Sequence, residues 1–184
     1  MSARPFIDFQ PKSLRQRALD YLGKREYSYR ELAQKLSKYV KKADVDSGDE
    51  FQEKFADQTE DKSGDESSEK SDEITEILDD FKARGWLSDK RFTEMLVHAR
   101  KTKFGSARVA NELREKGVAD ELIASAIAEV KLSELDNARN VWQKKYKASA
   151  ETREEWAKQA RFLQSRGFGF DVIKKVLNHT EAED

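Results

Sequence analysis

Apolar residues recur along most of the chain at the three- and four-residue spacing that places them on one face of a helix. Ala18, Leu19 and Leu22 follow this spacing near the start, and Phe92 and Leu96 follow it further along. No segment keeps up the strict alternation of apolar and polar residues that marks a half-buried strand. The pattern therefore predicts an all-α fold built from amphipathic helices.

The predicted helices are bounded by residues that commonly start and end helices. They span approximately residues 13–24, 28–40, 72–84, 89–102, 106–116, 119–130, 132–147, 152–166 and 169–178. Capping boxes support three of the starts: Ser13-x-x-Gln16, Ser28-x-x-Glu31 and Thr152-x-x-Glu155. Helix-ending glycines in the left-handed conformation are expected at Gly85, Gly117 and Gly167.

Internal similarity groups these helices into repeats. The segment LREKGVADELIASAI (113–127) aligns with LQSRGFGFDVIKKVL (163–177), which sets Gly117 opposite Gly167, 50 residues along the chain. Each copy reads as a three-helix unit, and units this small bury more apolar surface by stacking on their neighbours. We predict three tandem repeats with the following bounds: an N-terminal arm at 1–12, repeat 1 at 13–88, repeat 2 at 89–131, repeat 3 at 132–180 and an acidic tail at 181–184.

Repeat 1 carries an insertion. Leu32 and Leu36 match the second helix of repeat 2, but the third helix follows about 28 residues later than it does there. The extra residues fall at about 43–72, a segment with twelve acidic residues and three lysines and hence a net charge of −9. Low hydrophobicity with high net charge is typical of disorder. We predict a solvated, disordered insertion, which is either a tolerated surface loop or an acidic decoy for a basic face.

A short sequence of large apolar residues joins the first two repeats. Gly85 is expected to end the last helix of repeat 1, and Ser88 with Asp89 to start repeat 2. Trp86 and Leu87 lie between them. Because an aromatic side chain can bury roughly 150–250 Å², we predict that this pair packs into the seam between the two repeats.

Composition limits the classes of function. Charged residues make up 39% of the chain and apolar residues 37%, which suits thin helical layers better than one deep core. No cysteine, signal-peptide pattern or membrane span is present, so a soluble cytoplasmic protein without disulfides is expected. The histidines, His98 and His179, are too few for a zinc site, and no phosphate loop or catalytic spacing is found. We predict that the protein is not an enzyme and holds no metal or other cofactor.

What remains is a basic surface interleaved with aromatic residues. Such residues can neutralise phosphates or contact an acidic protein surface. In repeat 1 the candidates are Arg15, Arg17 and Arg25, with tyrosines nearby in the sequence. Those in repeat 2 are Arg91, Arg100, Lys103, Arg108, Arg114 and Lys116. Each alone could be a solvated residue on an outer helix face, but as a group they favour a polyanionic partner.

The stretch Lys103-Phe104-Gly105-Ser106 is the most suggestive local site, because it precedes a predicted helix. In one interpretation, the free N–H groups of that helix bind a phosphate or a carboxylate. In the other, Phe104 is a hydrophobic staple and Ser106 caps the helix. The sequence leaves both interpretations open.

Four stretches, taken in order, resemble a known family: RALDYLGKREYSYRELAQKL, ILDDFKARGWLSDKRFTEMLVHAR, KFGSARVANELREKGVADELIASAI and RFLQSRGFGFDVIKKVL. The most specific parts are the join Gly-aromatic-Leu-x-Asp-x-Arg-Phe and the helix Gly-x-x-x-Val/Ile-x-x-Glu-Leu-x-x-Lys-Gly-Val/Ile. By these stretches the chain resembles the RecX family, which comprises bacterial regulators of the RecA recombinase. The resemblance covers nearly everything outside the N-terminal dozen residues, the acidic insertion and the C-terminal tail.

The resemblance implies an elongated, curved stack of three-helix repeats that lodges in the groove of the RecA–DNA filament. Family members bound there lower the ATPase and strand exchange of RecA and limit filament extension or promote disassembly. The implied partners are the RecA filament and single- or double-stranded DNA, bound by a monomer. The family has no catalytic residues to carry over, and its basic face matches Arg91, Arg100, Lys103, Arg108, Arg114 and Lys116. The acidic insertion departs from the family and bears on how repeat 1 contacts the filament.

Two alternative functions remain open. The stretch YSYRELAQKL (27–36) could start a helix-turn-helix of a sequence-specific DNA-binding protein, although no dimerisation helix is evident. A helical protein that coats DNA without RecA is the other alternative, and its binding would fall steeply with salt. For the RecA regulator, we predict that changing Arg91 and Arg108 together to Glu abolishes inhibition and leaves helicity intact.

Overall fold

The computed structural model describes residues 12–46, 65–146 and 148–178. Within these ranges the regular secondary structure is entirely helical, which confirms the predicted all-α fold. The helices are α1 (Leu14–Leu22), α2 (Tyr29–Asp46), α3 (Asp65–Ala83), α4 (Asp89–Arg100), α5 (Ser106–Glu115), α6 (Asp120–Leu132), α7 (Glu134–Gln143), α8 (Arg153–Ser165) and α9 (Phe170–Asn178). None of these helices is both long enough and apolar enough to cross a membrane.

The helices form three groups of three, and each group surrounds a core of its own. Fully buried large side chains mark the three cores: Leu32 and Phe81 in α1–α3, Phe92 and Leu113 in α4–α6, and Leu163 and Ile173 in α7–α9. Full burial of one such side chain contributes about 1.5–3 kcal/mol. The predicted tandem three-helix repeats are thus confirmed, each held together by its own apolar cluster.

The described helices belong to two compact units, divided between Leu87 and Ser88. The first unit contains α1–α3, in which α2 packs against both α1 and α3. The second unit contains the six helices α4–α9, and α6 packs against α7 within it. Repeats 2 and 3 therefore share one compact unit.

Hydroxyl groups cap several helix starts as the sequence predicts. The side chains of Ser13, Ser28 and Thr152 accept hydrogen bonds from the N–H groups of Gln16, Glu31 and Glu155 at 3.2, 3.1 and 3.2 Å. Ser88 does the same for the N–H of Arg91 at 3.3 Å. Each bond satisfies one of the N–H groups that a helix start leaves without a partner in the helix.

Three glycines end helices in the left-handed conformation, as predicted. The φ angles of Gly85, Gly117 and Gly167 are 72°, 74° and 84°. The following residue donates its N–H to a carbonyl in the last helical turn, as Val118 does to Leu113 at 3.1 Å. This is the six-to-one bond of a Schellman motif, whose left-handed residue would cost a non-glycine side chain about 1–2 kcal/mol.

Trp86 and Leu87 differ in their environments. Leu87 is buried in the core of α1–α3, whereas Trp86 remains 45% exposed. The Trp86 ring packs on Phe81, with 5.4 Å between ring centroids, as the apolar contact of the Schellman motif at Gly85. The prediction that Trp86 is buried in a seam is therefore wrong, because the helix-ending glycine directs this side chain back onto its own helix.

The insertion predicted at 43–72 is helical at its edges. Helix α2 continues to Asp46, and α3 begins at Asp65. The prediction of disorder therefore does not hold for these edges. The intervening residues 47–64 lie outside the described part of the chain.

Candidate interaction surface

The start of α5 is held against the turn between α8 and α9. The N–H of Gly105 donates to the carbonyl oxygen of Arg166 at 2.9 Å, and the N–H of Ala107 donates to that of Gly167 at 3.3 Å. A Cβ at Gly105 would lie 2.2 Å from the Gly167 oxygen. Because only glycine permits this approach, residue 105 fixes the start of α5 beside a turn of the neighbouring repeat.

A buried carboxylate binds the first helical N–H of α5. Glu134 at the start of α7 is 5% exposed, and its Oε1 accepts a hydrogen bond from the N–H of Ser106 at 2.7 Å. Negative charge is favoured at a helix N-terminus. The N–H predicted to receive a phosphate or carboxylate thus holds a carboxylate of the chain itself. The alternative prediction that Ser106 caps this helix is wrong, because Gly105 occupies the cap position and makes no side-chain bond there.

A groove of about 840 Å³ lies between α5 and the turn between α8 and α9. Three of the predicted site residues, Arg100, Arg108 and Lys116, line it. Glu112 and Glu115 line it as well, so the groove carries both signs of charge. The structure therefore brings one part of the predicted basic face together on a single concave surface.

Arg100 is neutralised within the fold. Its Nε and Nη2 donate to the two carboxylate oxygens of Glu112 at distances of 2.9 to 3.2 Å. These hydrogen bonds to Glu112 raise the pKa of Arg100. A bidentate pair of this kind is geometrically specific and ties α4 to α5, so Arg100 already has an anionic partner within the fold.

Arg108 has a different environment from Arg100. Its guanidinium lies over the Phe104 ring, 4.4 Å from the centroid, and its Nη1 donates to the carbonyl oxygen of Ser165 at 3.2 Å. No described carboxylate forms an ion pair with it. The guanidinium of Arg108 therefore lies at the junction of repeats 2 and 3 without a carboxylate partner in the described part of the chain.

The other predicted cations of repeat 2 lie away from the groove lining. Arg91 and Lys103 are exposed. Arg114 donates to Oδ1 of Asn111 at 3.1 Å and lies 3.7 Å from a carboxylate oxygen of Asp120. The groove thus unites only part of the face that the sequence predicts.

The predicted cations of repeat 1 contact partners inside the first unit. Arg15 forms an ion pair with Asp80. Both carboxylate oxygens of Glu31 accept hydrogen bonds from Arg25, at 2.9 and 3.1 Å. Arg17 lies 4.3 Å from the centroid of the Tyr39 ring. Of the three, Arg15 and Arg25 are neutralised by carboxylates, whereas Arg17 rests on an aromatic face.

Sequence reasoning missed a set of cations in repeat 3. The Arg166 guanidinium lies 5.5 Å from the Phe104 centroid and 5.3 Å from the Phe162 centroid. The Lys145 ammonium lies 4.1 Å from the Phe162 centroid on the same ring. The one local signal is the four-residue spacing between Phe162 on α8 and Arg166 at its C-cap, since residues so spaced lie on the same side of a helix. The remaining members come from other helices, so only the fold reveals the set.

Metal-ligating side chains do not gather in the part of the chain that the structure describes. No group of three or more His, Cys, Asp or Glu side chains there could hold a metal ion. His98 is exposed on α4, and His179 falls outside the described residues.

Family models match two parts of the chain. Residues 88–127 match the model described as RecX, second three-helix domain, and residues 133–177 match the model described as RecX, third three-helix domain. Curated relatives match nearly the whole chain. The regulatory protein RecX of Leptothrix cholodnii is 35% identical over 93% of this chain and 91% of its own length. That of Chromobacterium violaceum is 35% identical over 90% of each chain.

Solved structures share the fold. RecX from Lactobacillus salivarius superposes with a TM-score of 0.64 at 18% identity, covering 92% of this chain and 95% of its own. A second crystal structure of a regulatory protein RecX gives a TM-score of 0.63, also at 18% identity, over 90% of this chain and 71% of its own. The helical repeats, the matched domains and the full-length relatives agree, and the chain belongs to the RecX family of regulatory proteins.

Proposed function

We propose that this protein regulates the RecA recombinase, mainly as an inhibitor. It binds in the groove of the RecA–DNA filament and suppresses ATP hydrolysis, strand exchange and filament extension. Membership of a family of regulatory proteins supports the general role. The proposal further assigns it a binding rather than an enzymatic role and a cytoplasmic monomer as the acting form.

The observation that carries the proposal is the groove between α5 and the turn between α8 and α9. Arg108 and Lys116 line this concave surface, and the exposed Arg91 and Lys103 belong to the same compact unit. Basic residues on such a surface are complementary to an acidic protein ridge or to phosphates. A filament repeats its surface from protomer to protomer, so several weak contacts of this kind can add through multivalency.

Inhibition follows if binding favours one state of the filament. A ligand shifts an equilibrium only by the difference between its affinities for the two states. A protein that binds more tightly to an inactive state of the filament would therefore hold RecA in that state and slow ATP hydrolysis. No catalytic group is needed for this effect.

The direct test is the ATPase rate of a RecA filament on single-stranded DNA, with DNA in excess, as this protein is titrated in. We expect inhibition well below one copy per RecA, because each bound copy blocks extension for many protomers. Loss of activity only when the DNA itself is saturated would contradict the proposal. It would favour a DNA-binding protein that acts without RecA, whether nonspecific or of the helix-turn-helix class.

The surface is tested by changing Arg91 and Arg108 together to Glu. We expect this variant to lose inhibition, with half-inhibition moved beyond about tenfold more protein, because like charges facing each other across an interface cost several kcal/mol. Changing Lys131 and Lys175 to Glu is the charge-matched control, since both lysines are exposed in the same unit. Inhibition that falls equally in the two variants would refute the assignment of the surface. Circular dichroism of both variants verifies that the helices remain.

A further inference from the structure

Two tyrosine hydroxyls meet between α1 and α2 in the first unit. The hydroxyl oxygen of Tyr21 lies 2.8 Å from that of Tyr39, a hydrogen-bond distance at which either group can be the donor. Both side chains are half-buried, so the pair lies at the edge of the core. The two residues are 18 positions apart in the sequence, and the packing of α1 on α2 brings them together.

The core beneath the pair fixes the two rings relative to each other. Tyr21 packs against the buried cluster that contains Ala18 and Leu36. Leu36 lies three positions before Tyr39 on α2, so these two side chains are neighbours on one side of that helix. Because α1 and α2 pack together over this cluster, the two hydroxyls face each other without movement of either helix.

The Tyr21–Tyr39 pair differs from a second tyrosine contact in the same unit. The rings of Tyr21 and Tyr27 meet edge to face, with centroids 5.7 Å apart. The Tyr27 side chain is only 5% exposed and belongs to the core, which encloses its ring. Tyr39 is half-buried, and partly exposed side chains reorient on the picosecond-to-nanosecond scale. Tyr21 and Tyr39 thus combine direct contact between hydroxyls with freedom to bring their ring edges together.

We infer that Tyr21 and Tyr39 form an oxidative modification site, at which a one-electron oxidant joins the two rings into a dityrosine. Each phenol gives one electron to the oxidant and one proton to water, which leaves a tyrosyl radical on each ring. The radicals combine through the ring carbons next to the hydroxyls. A proton then moves from each of these carbons to its oxygen, which restores both phenols. The reaction consumes two equivalents of oxidant. The 2.8 Å contact favours this product, because holding two reactants together turns a bimolecular encounter into a unimolecular step.

The new bond ties α1 to α2 covalently within the first unit. It closes a loop between two residues that are 18 positions apart. A cross-link stabilises a fold mainly by restraining the unfolded chain. Oxidation at this site therefore yields a first unit that resists unfolding, rather than a damaged one.

The test oxidises the full chain briefly with photogenerated ruthenium(III) tris-bipyridine, a small one-electron oxidant. Trypsin then separates the tyrosines of the first unit: Tyr21 lies in peptide 18–24, Tyr39 in 39–41, and Tyr27 and Tyr29 together in 26–30. We expect peptides 18–24 and 39–41 to be joined, with a mass two hydrogen atoms below the sum of the two. A chain oxidised in urea is the control for proximity, because unfolding separates α1 from α2. There this pair should form no more often than pairs with 26–30.

Two variants identify the partners. Tyr39→Phe keeps the ring and removes the hydroxyl, so we expect at least about tenfold less dityrosine fluorescence from the monomeric chain, because the unimolecular route is lost. Tyr146→Phe is the matched control, since Tyr146 belongs to the second unit and its loss should leave the yield unchanged. Circular dichroism of both variants verifies that the helices remain.

Three results would overturn the site. One is peptide 18–24 joined mainly to 26–30, which would place the cross-link on another tyrosine pair. Another is a yield that rises with protein concentration, because the product would then form between chains. The third is an equal loss of dityrosine in the Tyr39→Phe and Tyr146→Phe variants. No recombinase or DNA is present in these measurements, so their outcome is independent of the ATPase test.

Discussion

The hydrogen bond from the N–H of Ser106 to Glu134 gives a specific expectation for stability. The carboxylate is 5% exposed, the N···O distance is 2.7 Å, and the N–H is the first of helix α5. Hydrogen bonds to charged groups contribute about 1.5–3 kcal/mol, and a buried donor left without a partner costs about 1–3 kcal/mol. Both figures describe the loss of the same hydrogen bond, so they are not simply added. We expect Glu134→Ala to lower the free energy of unfolding of the second unit by about 2–4 kcal/mol.

Glu134→Gln separates the hydrogen bond from the charge. The amide oxygen can still accept from the N–H of Ser106, but the interaction with the helix dipole is lost. That interaction is worth up to about 2 kcal/mol in a partly buried geometry, so we expect a loss of about 1–2 kcal/mol. Glu121→Ala is the control, because Glu121 is an exposed acid in the first turn of α6 and should change stability by less than about 1 kcal/mol.

The assay must report on the second unit alone, since two compact units need not unfold in one transition. Trp142 and Trp156 belong to that unit, and Trp86 belongs to the first. In a Trp86→Phe background, tryptophan fluorescence during urea unfolding therefore follows the second unit. A midpoint for Glu134→Ala equal to that of the parent would refute the reasoning. Equal losses for the Gln and Ala variants would show that the hydrogen bond adds nothing beyond the charge.

Two further changes test a close backbone contact in the second unit and a set of ion pairs in the first. Gly105→Ala places a Cβ 2.2 Å from a backbone oxygen of the turn between α8 and α9, so we expect about 1–3 kcal/mol of destabilisation by urea unfolding. Gly169→Ala, whose Cβ would meet nothing within 4 Å, should change stability far less. In the first unit, hydrogen bonds from Arg84 and then Arg15 lower the pKa of Asp80. Because the pKa of Asp80 is lower in the folded than in the unfolded state, the carboxylate stabilises the fold at pH values above its unfolded pKa of 3.8. This contribution is lost as the pH falls from 3.8 through the pKa of the folded state. Asp80→Asn should therefore flatten the acid side of the stability profile, and an unchanged profile would contradict the assigned ion pairs.

Much of the fold follows from local rules. The Ser13 and Thr152 caps and the left-handed Gly117 and Gly167 depend only on residues within one helical turn, and the structure matches the prediction at each. Trp86 shows the limit of such rules. An apolar side chain after a helix-ending glycine can pack either on the next element of the chain or on the helix that the glycine ends. The contact of Trp86 with Phe81 is set by packing rather than by sequence position.

The candidate surface was less predictable than the helices. The sequence around a basic residue does not show whether a carboxylate will form an ion pair with it in the fold. Arg100 meets Glu112 on another helix, and Ser106 meets Glu134 28 residues further along the chain. The same holds for Phe104 and Arg166, which become neighbours only because a turn of repeat 3 lies beside α5. Sequence periodicity describes one helix at a time, whereas ion pairing and ring stacking depend on pairs of helices.

The close approach of Gly105 to the turn at Gly167 also bears on how such a chain can evolve. Repeats that arise by duplication are often treated as interchangeable modules, gained or lost one at a time. Here α5 of repeat 2 relies on a carboxylate, two carbonyl oxygens and a glycine turn supplied by repeat 3. Loss of repeat 3 would remove all of these hydrogen-bond partners of α5 in a single event. Repeats 2 and 3 are thus expected to be inherited together, whereas insertions and replacements are better tolerated in repeat 1, which has a compact unit of its own.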